Sequence, residues 1–416
     1  MSKKLKQRHH DKSQGGSIQS DYKQSGPKLK PPRDHQRGSN PDIQTTTKAS
    51  KTKKPDVQHL YAYIHGVEDL KSIHQPAGGM ELKEFVKRVF GGFDNVMEEY
   101  NKLKQEGVPE WAQFDNFTQF KPKNRYTDIK CYDHSRVKLT DGLEGDYIHA
   151  NYLDGYKHSK AYIATQGPMP ATYNDFWRMV WQEETMVVCM VTKIKELGKE
   201  KCGQYWPSKV GKATSYGHIE VSCRKILEQN SYTYTELIVK NTQAKGSQRR
   251  ALIHLMYTAW PDCGVPVNSD VFLSYLDVMR QTQRLVLQKQ SRYKGHPLGP
   301  PIIIHCSAGI GRTGTLAAVD VCCKKLLDTG RVDVEDTVRK MRTQRYYSVQ
   351  RPEQYMFIGL TVIQFAVSYG LMPIQRDFEQ NVTKIADEAI MRADNKNLEE
   401  NEYGLVHYMP KGPKKV

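Results

Sequence analysis

The stretch IIIHCSAGIGRTGT, residues 302–315, constrains this chain more than any other. The apolar run PIIIHC reads as a strand. The glycines that follow let the backbone curl tightly, and TGTLAAVDVCCKKLLDTG continues as a helix. A strand, a glycine loop and a helix in that order aim backbone N–H groups at one point near a helix N-terminus. Such a point attracts an anion.

Two patterns overlap in these letters. Gly309, Gly311 and Gly314 spell G-x-G-x-x-G, while Cys306 and Arg312 spell Cys-x5-Arg. A dinucleotide site needs its first glycine directly after the strand, a second strand, and an acid about twenty residues on. Glu335 is available as the acid, but four residues separate Ile304 from Gly309, and consecutive helices follow. The cysteine pattern explains more. Glycines let backbone approach a phosphate, and Arg312 offers a planar fork matching two of its oxygens. The helix N-terminus and Arg312 both favour negative charge, which suits Cys306 as an anionic nucleophile aimed at phosphorus.

The rest of the chain reads as a mixed α/β sheet flanked by helices. Strand patterns fall at 162–167, 185–192, 218–227, 232–240, 250–258 and 301–306. Helical patterns include TYNDFWRMVWQEE, SDVFLSYLDVMRQTQRLVLQKQ, DVEDTVRKMRTQR and RPEQYMFIGLTVIQFAVSYG. The segment opens on an amphipathic helix with Leu82, Phe85, Val86, Val89 and Phe93 on one face, broken at Gly91-Gly92.

Composition bounds what surrounds this segment. Residues 1–55 hold fourteen Lys or Arg against four Asp, which is ten of the sixteen net positive charges of the 416-residue chain. Few large apolar residues accompany them, so residues 1–78 read as a disordered basic tail that would contact acidic surfaces, with no specific nucleic-acid binding expected. Residues 373–416 read as a polar tail; a marginal helix near RDFEQNVTKIADEAIMRADNK is the lesser alternative to a solvated one. The apolar run from Ile358 to Met372 is interrupted and too short for a membrane span, and no secretory signal opens the chain. Eight cysteines without C-x-x-C or His-x3-His spacing suggest neither zinc nor a disulfide framework. A cytoplasmic setting is expected, with nuclear or peripheral membrane association through the tail.

HCSAGIGRTGT resembles the signature loop of the phosphotyrosine-specific protein tyrosine phosphatases, in their non-receptor-like form. KNRYTDI (123–129), DYIHANY (146–152), YIATQGPMPATYNDFWRMVW (162–181), KCGQYWP (201–207), WPDCGVP (260–266) and VQRPEQYMF (349–357) follow the family's order, so the resemblance covers 79–372. It implies the cysteine phosphatase fold and hydrolysis of phosphotyrosine proteins through a cysteinyl-phosphate, without metal or organic cofactor.

The resemblance also assigns roles. Cys306 is the nucleophile, Asp262 the general acid and then base, Arg312 the phosphate clamp, Gln350 the holder of water, and Thr313 a hydroxyl donor to the sulfur. Ser307, Ala308, Gly309, Ile310 and Gly311 form the phosphate loop, and Gln354 assists Gln350. Tyr126 walls a pocket deep enough to prefer phosphotyrosine, and Asp128 holds the substrate backbone. His305, Glu196, Lys201 and Trp260 support these groups, with Glu196 bracing Arg312.

Four positions depart from the family pattern: Cys263 after the acid, His149 for a usual Asn, Met256 for a usual His, and Arg351 after Gln350. Cys263 would put a second thiol near Cys306 and make the site redox-sensitive, and Arg351 would tune peptide choice at the rim. A phosphotyrosine-binding module without turnover would lack Cys306, Asp262 or Arg312, and a dual-specificity enzyme would lack the segment that carries Tyr126.

Overall fold

A computed structural model describes residues 78–373 except Glu144, Lys245, Gly246, Ser247, Cys263, Val267 and Ser291, together with 380, 381, 383–385, 387, 388 and 391. The basic stretch 1–77 and residues 392–416 lie outside the described residues, and so do the expectations placed on them.

Among the described residues, one sheet carries nine strands: β1 (Arg136–Lys138), β2 (Tyr147–Gly155), β3 (His158–Thr165), β4 (Val187–Met190), β5 (Ala213–Tyr216), β6 (Ile219–Glu228), β7 (Tyr232–Asn241), β8 (Arg249–Tyr257) and β9 (Ile302–His305). Their spatial order is β1-β2-β3-β9-β4-β8-β7-β6-β5. The central strands β3, β9, β4 and β8 run parallel, and the pairs on either side are antiparallel.

The sequence reading located six of these strands and missed β1, β2 and β5. β1 is three residues long, and β5 is the mostly exposed segment ATSY. β2 was hidden for another reason: its buried positions include His149 and Asn151, whose polarity breaks the apolar pattern.

Period-two alternation divides the central strands between two cores. Ile302, Ile304, Val187, Cys189 and Val191 face one side, while Ile303, Val188 and Met190 face the other. The first side is covered by α1 (Leu82–Phe90), α2 (Phe93–Gln105), α5 (Ser269–Gln288), α6 (Gly311–Thr329), α7 (Val334–Gln344) and α8 (Pro352–Ser368). The second is covered by α4 (Tyr173–Gln182), where Trp177 is fully buried and its indole N–H donates to the Tyr205 carbonyl at 2.8 Å. A further short helix, α3 (Asp115–Gln119), precedes β1.

Gly92, at φ 116°, makes the expected break between α1 and α2. The apolar run within 358–372 lies mostly in α8, which is buried almost all round because neighbouring helices cover it. Among the described residues no helix is long and apolar enough to cross a membrane. Beyond Pro373, where the sequence favours a solvated tail, the described residues from Gln380 to Met391 are helical. Ile385 is buried in the helix-side core, and the other described residues of this stretch are exposed or partly so.

Candidate active site

Cys306 follows the last residue of β9, and α6 begins five residues later at Gly311. In this loop the carbonyls of five consecutive residues are each taken by a partner. The Cys306 carbonyl faces His305 Nδ1 at 3.2 Å, and the Ser307 carbonyl accepts from the Gly167 N–H at 2.8 Å. Arg345 Nη2 donates to the Ala308 carbonyl at 3.0 Å and Nε to that of Gly309 at 3.1 Å. The Ile310 carbonyl accepts from the N–H groups of Gly314 and Val349, at 3.0 and 3.1 Å. With the carbonyls engaged this way, the inner side of the loop is left to N–H groups. The N–H of Gly309 points at Cys306 Sγ from 3.3 Å. The first turn of α6 has no side-chain cap, so it can receive an anion.

Gly309 is required on two counts. Its φ is +72°, and a Cβ there would lie 2.0 Å from the Thr165 carbonyl oxygen.

Arg312 extends from the first turn of α6 to Glu196. Its Nη1 and Nη2 donate to the two carboxylate oxygens at 2.6 and 3.0 Å. Glu196 sits in a tight hairpin whose turn residues Leu197 and Gly198 both have positive φ, which matches the twist of paired strands. Burial acts against its charge, but Arg312, the Lys193 N–H and the Thr192 hydroxyl outweigh it and hold the carboxyl below its ordinary value.

Arg312 Nη2 also donates to the Pro261 carbonyl at 3.4 Å, tying the clamp to the loop that carries Asp262. Asp262 itself is paired with Lys193 at 3.2 Å, not with Lys201. What Lys201 contributes is its main-chain carbonyl, which accepts from Ser307 Oγ at 2.8 Å. Trp260 is buried under the same loop, donating to the Gly264 carbonyl at 3.1 Å, with Arg312 5.6 Å above its ring.

Ser307 spends its only proton on Lys201, so the Tyr126 O–H must donate to Ser307 Oγ, at 2.7 Å. Burial raises the Tyr126 phenol and keeps it a donor. Arg125 fixes this tyrosine from the preceding position by donating to the carbonyls of Gly167 and Pro168 at 2.8 and 3.1 Å. Asp128 stands exposed two residues beyond Tyr126.

His305 is fully buried and bonded through Nε2 to the Tyr205 hydroxyl at 2.7 Å. That hydroxyl also meets His254 Nε2 at 2.8 Å. One tautomer chain satisfies all three groups: His254 Nε2–H donates to Tyr205, Tyr205 donates to His305 Nε2, and His305 Nδ1–H donates to the Cys306 carbonyl. Burial pushes His305 down to about 4, so the neutral ring this chain needs is the stable one.

Thr313 is completely buried, and its hydroxyl has no hydrogen-bond partner among the described residues. Gln350 is exposed, directly after Val349, whose N–H reaches the cradle. Gln354 packs against Gly311 and caps α8, its Oε1 accepting from the N–H groups of Gln350 and Arg351 at 3.0 and 3.2 Å. Arg351 lies 3.6 Å from Glu353, and Met256 is partly buried against the second core. Cys263 lies outside the described residues.

The sequence reading did not single out Lys193, Arg125, Tyr205 or Arg345. Arg345 is wholly buried and also donates to Asn151 Oδ1 at 2.7 Å and His149 Nδ1 at 3.1 Å. His149, noted as a departure, therefore belongs to the platform beneath the cradle. No local pattern reveals such residues, because their partners lie from about forty to almost two hundred positions away.

The family model described as protein-tyrosine phosphatase matches residues 120–364. This chain belongs to the protein-tyrosine phosphatase family. It is 39% identical over 310 residues to human tyrosine-protein phosphatase non-receptor type 9, covering 73% of this chain and 52% of that protein. It is 44% identical over 253 residues to tyrosine-protein phosphatase Lar-like of Caenorhabditis elegans, covering 60% and 11%. With rat receptor-type tyrosine-protein phosphatase zeta it shares 37% identity over 320 residues, covering 71% and 13%. The matched segment thus spans about half or less of each relative's length. For this phosphatase-family chain, the match encloses the cradle, Glu196, Asp262 and Gln350, and leaves α1 and α2 outside it.

Proposed function

We propose that this protein hydrolyses phosphotyrosine in proteins, through a cysteinyl-phosphate formed on Cys306. The observation that carries the reading is the loop whose five carbonyls are engaged by neighbours around Cys306, with Arg312 fixed beside it. A phosphoryl group is the ligand that such N–H groups and one planar guanidinium fit.

In the first step Cys306 sulfur attacks phosphorus and the P–O bond to the tyrosine breaks. The electron pair goes to the phenol oxygen, and Asp262 supplies its proton. In the second step a water held by Gln350 attacks phosphorus and the S–P bond breaks. That electron pair returns to sulfur, and the water's proton goes to Asp262. Arg312 and the N–H groups bind the charge that develops on the phosphoryl oxygens, and Glu196 keeps the arginine in place beforehand. The buried Thr313 hydroxyl is available to donate to the departing sulfur. Tyr126 lines the entrance, so a long aromatic ester reaches Cys306 better than a short serine ester. Gln354 supports Gln350, and Asp128 holds the substrate's main chain.

The reaction as read needs no metal or organic cofactor. The catalytic domain is taken as 79–372, flanked by a basic tail through 78 that binds acidic surfaces and a polar tail from 373. The protein is placed in the cytoplasm, with nuclear or peripheral membrane association through the basic tail.

The test is phosphate release from matched phosphotyrosine and phosphoserine peptides without added metal, using wild type, Cys306→Ser and Asp262→Ala. Release from phosphotyrosine alone, abolished by the first change and strongly slowed by the second, is the expected result. Release that survives Cys306→Ser would overturn the reading.

A further inference from the structure

We infer that Tyr100, on the N-terminal helix α2, is a positioning residue for Gln350, and that it serves the second half of the reaction. The inference rests on the phosphatase reading above. It adds a residue outside the span 120–364 that the family model matches.

Tyr100 is 3% exposed, and its hydroxyl donates to the Gln350 carbonyl. Two neighbouring carbonyls are held as well. Arg342 Nε donates to the Ser348 carbonyl at 3.1 Å and Nη2 to that of Val349 at 3.0 Å. The same guanidinium lies 5.2 Å from the centre of the Tyr100 ring, so one arginine and one tyrosine act together on three consecutive peptide groups.

This restraint opposes a local cost. Val349 has φ +60°, a left-handed conformation that a buried β-branched side chain adopts only when its surroundings impose it. Released from Tyr100, the Gln350 peptide group would turn its side chain away, while Arg342 still holds Ser348 and Val349 and the Val349 N–H still holds the Ile310 carbonyl of the cradle. On its other side, the Gln350 N–H is held by Gln354 Oε1 at 3.0 Å. Both peptide groups of Gln350 are therefore fixed, and only its exposed side chain is free to hold a water.

The first chemical step uses Cys306, Arg312, Asp262 and the cradle, none of which bonds to Tyr100. The second step needs water in line with the S–P bond, which depends on Gln350. Small errors in placement are costly there, since a displacement of about 1 Å can cost about a hundredfold in rate. Burial pushes the Tyr100 phenol up to about 12, so it remains a donor across the working range of pH.

The experiment is rapid-quench kinetics of the full chain with a chromogenic aryl phosphate, comparing wild type, Tyr100→Phe and Cys306→Ser. Tyr100→Phe keeps the ring under Arg342 and removes one hydroxyl. It should leave the rate of phosphoenzyme formation within about twofold of wild type, lower steady-state turnover by about five- to twentyfold, and raise the acid-trapped phosphoenzyme fraction. An unchanged trapped fraction overturns the inference, whether both rates stay the same or both fall together as a purely structural or misfolded variant would show. Failure of the underlying reading looks different: Cys306→Ser would then still release the phenol.

Discussion

The carboxylate of Glu196 holds both terminal nitrogens of Arg312, at 2.6 and 3.0 Å, with Glu196 almost completely buried. The clamp is therefore built before any phosphate arrives, and its orientation is fixed by a residue 116 positions away. Glu196→Gln preserves shape and removes the charge that keeps the guanidinium in line. The expected result is a fall in kcat/KM of about ten- to a hundredfold, or about 1.4–2.8 kcal/mol, at an unchanged fold by circular dichroism. Wild-type kinetics in this variant would mean that the pair is only structural.

Asp262 is held by Lys193 in an ion pair that is partly open to solvent on both sides. Pairs of this kind contribute about 0.2–1 kcal/mol. Lys193→Met should then change turnover by less than about fivefold, in the direction of a loop freer to close, whereas Asp262→Asn should slow it by about 10²–10⁴. Steady-state kinetics on the two variants separates a latch from a catalytic ion pair; comparable losses in both would refute the latch.

Gly309→Ala tests the cradle itself. The added methyl would meet the Thr165 carbonyl and would also force an alanine to φ +72°. The loop must shift, so activity should drop more than about a hundredfold. Thermal stability should fall by about 1–3 kcal/mol. Gly198→Ala, at a hairpin turn with open space around it, serves as the comparison and should cost activity far less.

Four buried histidines make stability depend on pH. Burial pushes His149 and His254 down to about 3 and His158 and His305 down to about 4, with Arg345, His305 and His296 adding repulsion at His149, His254 and His158 respectively. In the unfolded chain these rings take up protons below about pH 6.5, and the folded chain refuses them until about pH 4 or lower. Stability is thus complete above pH 6.5 and is lost as pH falls. Glu99 works in the opposite sense, because burial pushes it up to about 7 and the folded state keeps a proton that the unfolded chain releases. The net uptake on unfolding near pH 5 is about three protons, or about 4 kcal/mol per pH unit. Unfolding midpoints in denaturant from pH 7 to pH 4.5 measure this slope; a value below about one proton would contradict the buried neutral rings.

What the sequence determined by itself was local and chemical. The run PIIIHC followed by glycines gave a strand entering an anion-binding loop, and Cys306 and Arg312 were legible in their spacing because both belong to that one loop. Six strands and the break at Gly91-Gly92 were visible for a similar reason, since each depends on the chain's own periodicity or on one glycine pair. Roles drawn from family resemblance added Glu196, Asp262, Tyr126 and Gln350. The tertiary structure decided what supports them. Arg345 and His149 hold up the cradle, Lys193 is the partner of Asp262, and Tyr100 and Arg342 fix the segment before Gln350. Ile385 is likewise buried in the helix-side core, although the other described residues from Gln380 to Met391 are exposed or partly so. These residues leave no periodic trace, because a buried polar group is defined by the hydrogen bond it completes, and here the partner usually lies dozens to hundreds of positions away.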